Sequence, residues 1–240
     1  MTSSQAVLEA GGPLSVAGPT VNNAPSVLTL LSASQFEKYT HIQKVISTMN
    51  SAFEATFGDL FQGIDRVQSL QSLLNELGPN YIAYVLTSAN DAENLEVYAS
   101  ILGRPAIPPN APQDFKEVPG KEYWEVKLLC VHPSIQGQGI ASMLITALEA
   151  EVKRQHEAQQ QSLTATSSGD HEGAREDIPN ETEVNKELRM ILSTVEAANG
   201  PFYAKRGYVT TKSYVVPKHA FNNADDFVQI SMEKVLITHK

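Results

Sequence analysis

The stretch from Val126 to Glu151, VKLLCVHPSIQGQGIASMLITALEAE, limits what this chain can fold into more than any other. Val126, Lys127, Leu128, Leu129, Cys130 and Val131 form a mostly apolar run of strand length, ended by the turn residues His132, Pro133 and Ser134. Gln136, Gly137, Gln138 and Gly139 follow. Ala141, Leu144, Ile145, Leu148 and Val152 then recur at helical spacing as an apolar stripe that faces a core. A strand, a glycine turn and a helix in that order leave the first helical N–H groups beside the glycines, without internal partners. These groups and the positive end of the helix dipole form a site for a phosphate. With no Cβ at Gly137 and Gly139, a bulky anion can come close to the backbone.

Two common phosphate loops are excluded. A triphosphate loop requires Gly-Lys-Ser/Thr, and the turn holds no Lys. A dinucleotide turn requires a third Gly where Ser142 stands, and follows its strand directly, whereas His132 to Ile135 intervene here. The turn does match the pattern Gln/Arg-x-x-Gly-x-Gly/Ala through Gln136, Gly139 and Ala141, after a strand ending in Val-x-Pro. In this it resembles the GNAT superfamily of acyl-CoA-dependent N-acyltransferases. The resemblance implies that the loop Gln136, Gly137, Gln138, Gly139, Ile140 and Ala141 holds the coenzyme A pyrophosphate. It also implies that Leu129, Cys130 and Val131 pair with the pantetheine arm.

A second stretch, EAANGPFYAKRGY from Glu196 to Tyr208, resembles the family's other motif. There a short helix carries Tyr203, followed by Lys205, by Gly207 as a helix C-cap, and by Tyr208 opening a strand. Many relatives place an Asn seven residues before the Tyr. That position is Glu196 here, and Asn199 is the candidate replacement for the contact with the arm.

The rest of the chain is read from its periodicity. Residues 1–26, rich in Gly, Ser, Pro and Asn, are expected to be a disordered arm. Val27 to Leu31 is a first strand. Ser34 with Glu37 opens a helix whose stripe runs from Phe36 to Phe53 and ends near Gly58. Val67 to Leu77 is a second helix, stopped by Gly78-Pro79. Tyr81 to Leu86, Leu95 to Leu102 and Tyr123 to Val131 are strands, with a proline-marked loop from Arg104 to Gly120 before the last. The polar segment 157–183, which carries seven carboxylates and no aromatic residue, is expected to be a disordered insertion. Leu188 to Val195, Tyr208 to Val216 and Asp226 to Ile237 complete the strands. This order resembles that of the GNAT family, and the resemblance implies one α/β domain over residues 27–240, a mixed, mostly antiparallel sheet flanked by helices on both faces.

Composition limits the partners. A chain of 240 residues can bury one ample core, and 42% hydrophobic with 19% charged residues is ordinary globular composition. No apolar run approaches the roughly 20 residues of a membrane span. The first 28 residues hold one charge, Glu9, and lack the basic start of a secretory signal. Cys130 is the only cysteine, which excludes an internal disulfide and a multi-cysteine metal site. A reducing compartment, cytoplasm or nucleus, is the expected setting. The net charge of -9 disfavours nucleic acid as a partner.

The chemistry implied by the resemblance is acetyl transfer from acetyl-CoA to a primary amine, by direct attack in a ternary complex. The amine must be neutral, the carbonyl oxygen stabilised and the thiolate protonated. Tyr203 matches the family's general acid, and Leu129 and Cys130 lie where a backbone N–H can serve the oxygen. An alkylamine has a pKa of about 10, so a base is needed. Glu125, sharing a strand face with Lys127, Leu129 and Val131 by alternation, is the candidate, and His132 is the next. Phe57 and Phe61 occupy the loop that lines the acceptor pocket in the family. No metal is implied. A catalytically silent acyl-CoA sensor of the same fold is the alternative.

Overall fold

The computed structural model describes residues 12–90, 92–106, 120–167 and 187–238. Eight strands form one sheet: β1 (Leu14–Ala17), β2 (Ser26–Ser32), β3 (Ile82–Ser88), β4 (Val97–Pro105), β5 (Lys121–Val131), β6 (Glu187–Val195), β7 (Val209–Val216) and β8 (Phe227–Ile237). Their order in space is β1-β2-β3-β4-β5-β6-β8-β7. Every neighbouring pair is antiparallel except β5 with β6. The helices are α1 (Ala33–Glu37), α2 (Ile42–Phe57), α3 (Leu70–Leu77), α4 (Ile140–Ser167) and α5 (Glu196–Ala204).

The central strands are apolar on both faces because each face is covered. Along β3, Ile82 and Leu86 face the α4 side, while Ala83 and Val85 face α2 and α3. The stripe Leu144, Ile145, Leu148 and Val152 seats α4 on the first face. Val45, Ile46 and Met49 of α2, with Leu73 and Leu77 of α3, seat the other layer. This is the layered mixed sheet that the element order predicts.

Three segments differ from the expectation. Residues 12–25 are not a disordered arm: β1 pairs with β2 from Leu14↔Leu30 to Ala17↔Val27, and Val21 is fully buried. Asn22 and Asn23 turn the chain with φ of 49° and 65°, a conformation that Asn tolerates better than most residues. The turn-forming residues that read as disorder here build a turn, and β1 exposes both Leu14 and Val16, so it shows no buried alternation. Residues 1–11 lie outside the described residues.

The first long helix is two helices. Ser32, not Ser34, is the N-cap of α1: its side chain accepts from the Gln35 N–H at 3.4 Å, and Gln35 Oε1 accepts from the Ser32 N–H at 2.9 Å. A turn at residues 38–41 then separates α1 from α2.

The segment expected to be disordered from residue 157 is helical as far as Ser167. Glu157, Ala158 and the glutamines that follow favour helix even where they bury little. The preceding turn is anchored, with His156 Nδ1 2.6 Å from Glu122 Oε2 on β5. Residues 168–183 lie outside the described residues, as do 107–119 of the proline loop.

Candidate active site

The parallel pair β5–β6 holds only from Lys121↔Glu187 to Glu125↔Ile191. Beyond that point β4 still pairs with β5 as far as Ala99↔Val131, but β6 has left the other side. The sheet is therefore split between Val126–Val131 and the second half of β6. A cleft of about 1210 Å³ opens at the split. Its lining joins the β5 edge, the glycine turn, the start of α4, the second half of β6, and α5.

A bulge in β5 decides which side chains face which layer. Ser100 pairs with Cys130 and Leu102 with Lys127, so Leu128 and Leu129 together oppose Ile101. Leu128 carries the strain, with φ of 46°, an uncommon conformation for a branched side chain. Trp124 and Val126 belong to the core under α4, yet Cys130 belongs to the opposite core under α2 and α3. The expected alternation that placed Leu129 and Val131 on the face of Glu125 and Lys127 is thus broken. The extra residue shifts the parity, and Leu129 and Val131 pack with the α4 face.

After β5, a short 3₁₀ turn (Pro133–Ile135) leads to the glycines. His132 caps it, its Nδ1 accepting from the Ser134 N–H at 3.3 Å, which gives this residue a structural role. Gln136 Nε2 donates to the Val131 carbonyl at 3.1 Å and closes the end of the strand. Gly137 and Gly139 both have φ of 80°, so a Cβ at either position would be strained. No protein atom lies within 4 Å of where those Cβ atoms would stand. The glycines face open space beside the α4 N-terminus, which fits a phosphate better than a tightly packed turn would.

Of the candidate catalytic and coenzyme-binding residues, two do not line the cleft: His132, and Gln138, whose side chain donates to Asn22 Oδ1 at 2.8 Å. The cleft lining includes Leu129, Cys130, Val131, Gly137, Gly139, Ile140, Ala141, Asn199 and Tyr203. Asn199 Nδ2 donates to Thr194 Oγ1 at 3.3 Å. Glu196, in the first turn of α5, is exposed. Tyr203 is 8% exposed, its ring packed edge-on against Phe202 at 5.0 Å and Tyr208 at 5.6 Å. Burial raises its pKa well above the usual tyrosine value, with Cys130 adding to the rise and Arg206 opposing it. The phenol therefore stays an O–H donor across the working pH range. Burial likewise pushes the Cys130 thiol up to about 12, which leaves little thiolate.

Arg206 was not singled out from the sequence. Its guanidinium lies 3.6 Å over the Phe202 ring, donates to the Phe202 carbonyl at 2.7 Å, and bonds the Ser142 hydroxyl in the first turn of α4. It thereby adds a cation beside the helix N-terminus. Its position three residues after Tyr203, one helical turn on, was the available signal.

Glu125 is held by cations on both oxygens. Arg104 Nε reaches Oε2 at 3.0 Å and Lys127 Nζ reaches Oε1 at 2.9 Å. Lys127 also stands 3.7 Å from Glu76, which Arg66 grips with both ends of its fork at 2.9 and 2.6 Å. Hydrogen bonds and charge from Arg66, with Lys127 beside it, lower the Glu76 pKa against the opposing effect of burial. Among the described residues no cluster of His, Cys, Asp or Glu is suited to a metal ion, and no helix is long and apolar enough to cross a membrane.

Residues 111–210 match the family described as the acetyltransferase (GNAT) domain. No curated protein matches the sequence. Among solved structures, smu.2055 from Streptococcus mutans UA159 is similar with a TM-score of 0.51 at 10% identity, covering 88% of this chain and 99% of the other. FeeM, an N-acyl amino acid synthase from uncultured soil microbes, is similar with a TM-score of 0.49 at 13% identity, covering 93% and 92%. The ribosomal-protein-S18-alanine N-acetyltransferase of Escherichia coli has a TM-score of 0.48 at 11% identity, covering 89% and 96%. The matched residues run from before β5 to the start of β7, so the part of the chain that is similar to the acetyltransferase (GNAT) domain contains the split, the glycine turn and Tyr203.

Proposed function

We propose that this protein is an acyl-CoA-dependent N-acyltransferase that moves an acetyl group from acetyl-CoA to a primary amine by direct attack in a ternary complex. The observation that carries this reading is the meeting, in one cleft, of the left-handed glycine turn, the β5 edge that β6 leaves unpaired, and the buried Tyr203. The amides of Gln136 to Ala141, with Arg206 beside them, receive the pyrophosphate. Leu129 and Val131 pair with the pantetheine arm, which takes the place of β6.

At the bulge, the backbone N–H of Leu129 or Cys130 stabilises the thioester oxygen as charge builds on it. The amine nitrogen attacks the carbonyl carbon, the C–N bond forms and the C–S bond breaks. The Tyr203 hydroxyl protonates the departing sulphur and is reprotonated from solvent. Glu125 accepts the amine proton through water, since both its oxygens are already engaged by Arg104 and Lys127. A cysteine-linked intermediate is disfavoured, because Cys130 is buried with its thiol pushed up to about 12.

Thermal shifts with acetyl-CoA, CoA and ATP side by side, followed by thiol release against a panel of amines, test the reading. Stabilisation by both CoA species and not by ATP, together with amine-dependent thiol release, is the expected result. Stabilisation with no release for any amine means an acyl-CoA sensor. No shift with either CoA species sinks the reading.

A further inference from the structure

On the α2 face the cleft has an aromatic wall. Phe53 and Phe57, at the end of α2, stand 5.2 Å apart between ring centroids, and Phe61 in the following loop is 5.5 Å from Phe53 and 6.3 Å from Phe57. Phe227, the first residue of β8, packs edge-on to Phe61 at 5.5 Å. All four line the cleft. The two loops are tied together as well, the Ala224 N–H donating to the Leu60 carbonyl at 2.7 Å. Asp65, on the loop between α2 and α3, lines the same cleft and makes no ion pair among the described residues. Glu76 and Glu125, by contrast, are each matched by cations.

We infer that the acceptor is a small primary amine carrying an aromatic or similarly large apolar group, of the arylalkylamine class. Its ring lies against Phe57, Phe61 and Phe227, and its ammonium is drawn in by Asp65 before it loses a proton. This rests on the acyl-transfer reading and adds the acceptor class to it. A polyamine would leave the rings without an apolar partner and would need carboxylates spaced along the wall. A polypeptide running through the cleft would have to pass where the Leu60–Ala224 bond and the Phe61–Phe227 contact join the two loops.

The experiment uses phenethylamine, putrescine and a short peptide with a free N-terminus, read by calorimetry on the CoA-loaded protein and by CoA release from acetyl-CoA. Phenethylamine is expected to bind at least about tenfold more tightly than either other probe, the usual scale for discrimination by an apolar pocket. Phe61→Ala should abolish that preference while leaving the acetyl-CoA thermal shift intact. If that variant is poorly folded, Phe61→Leu, which keeps apolar volume without the ring, should still narrow the preference. Equal or tighter binding of putrescine or the peptide overturns the inference. CoA release to all three probes without preference overturns the acceptor class and leaves acyl transfer standing. Tight phenethylamine binding with no CoA release supports the acceptor pocket and sinks the transfer reaction.

Discussion

Replacing Gly139 by Ala separates what the glycine does for the fold from what it does for the ligand. Its φ of 80° places an L-residue in the left-handed region, at a cost of about 1–2 kcal/mol. The added Cβ meets no protein atom within 4 Å, so packing adds nothing to that cost. For a chain of this size the expected fall in Tm is about 2–8 °C. Acetyl-CoA feels a second effect, because the same Cβ enters the space where the pyrophosphate would approach the backbone. Loss of one hydrogen bond to a charged group costs about 1.5–3 kcal/mol, which is about 10- to 150-fold in Kd. Gly120 is the matched control, with φ of 76°, open space around its Cβ position and no place in the cleft. Gly120→Ala should lower Tm by a similar amount and leave the acetyl-CoA Kd unchanged. Calorimetry on both variants decides. If Gly139→Ala binds within about threefold of the parent protein, or Gly120→Ala weakens binding equally, the glycine turn is not the phosphate site.

Other perturbations probe the remaining parts. Tyr203→Phe keeps the ring contacts with Phe202 and Tyr208 and removes only the hydroxyl; kcat should fall by about 10²- to 10⁴-fold with little change in acetyl-CoA affinity, and an unaltered kcat means another group protonates the sulphur. Arg206→Ala removes the cation bonded to Ser142, so acetyl-CoA should bind more weakly and with a shallower salt dependence; titrations at low and high salt check this, and identical slopes refute it. For Cys130 the folded pKa, about 12, lies above the unfolded value, which is about 8.5. Keeping the thiol neutral therefore contributes stability that is complete below about pH 8.5 and is lost as pH rises from there towards about 12. In urea titrations, the loss between about pH 8 and about pH 10 should be up to about 2 kcal/mol larger for the parent than for Cys130→Ala. Equal losses would show that the thiol is not buried as described.

The strand, glycine turn and helix at Val126–Glu151 were legible because local chemistry dictates them. An apolar run, two glycines and an i, i+3, i+4 stripe have few other ways to fold, and residues 126–131 and 140–152 adopt the expected elements. The Tyr203 helix was legible for the same reason. The two edges of the described fold were less so. β1 shows no buried face, and residues 157–167 are held by helix propensity and by an anchor one turn earlier rather than by an apolar stripe.

What the amino-acid order determined by itself is therefore the list of elements and the identity of the turn, since these depend on neighbours within a few residues. The tertiary structure alone decided where β5 and β6 part, because that depends on which strands, distant in sequence, find hydrogen-bond partners. It also decided the parity change at Leu128, which moves Cys130 to the α2 face and takes Leu129 and Val131 away from Glu125. A bulge is set by the register between two strands, and period-two counting along one strand cannot see it. The aromatic wall has the same origin: Phe53 and Phe227 lie far apart in the chain, and only the packing of the β7–β8 turn against the α2–α3 loop brings them to one cleft.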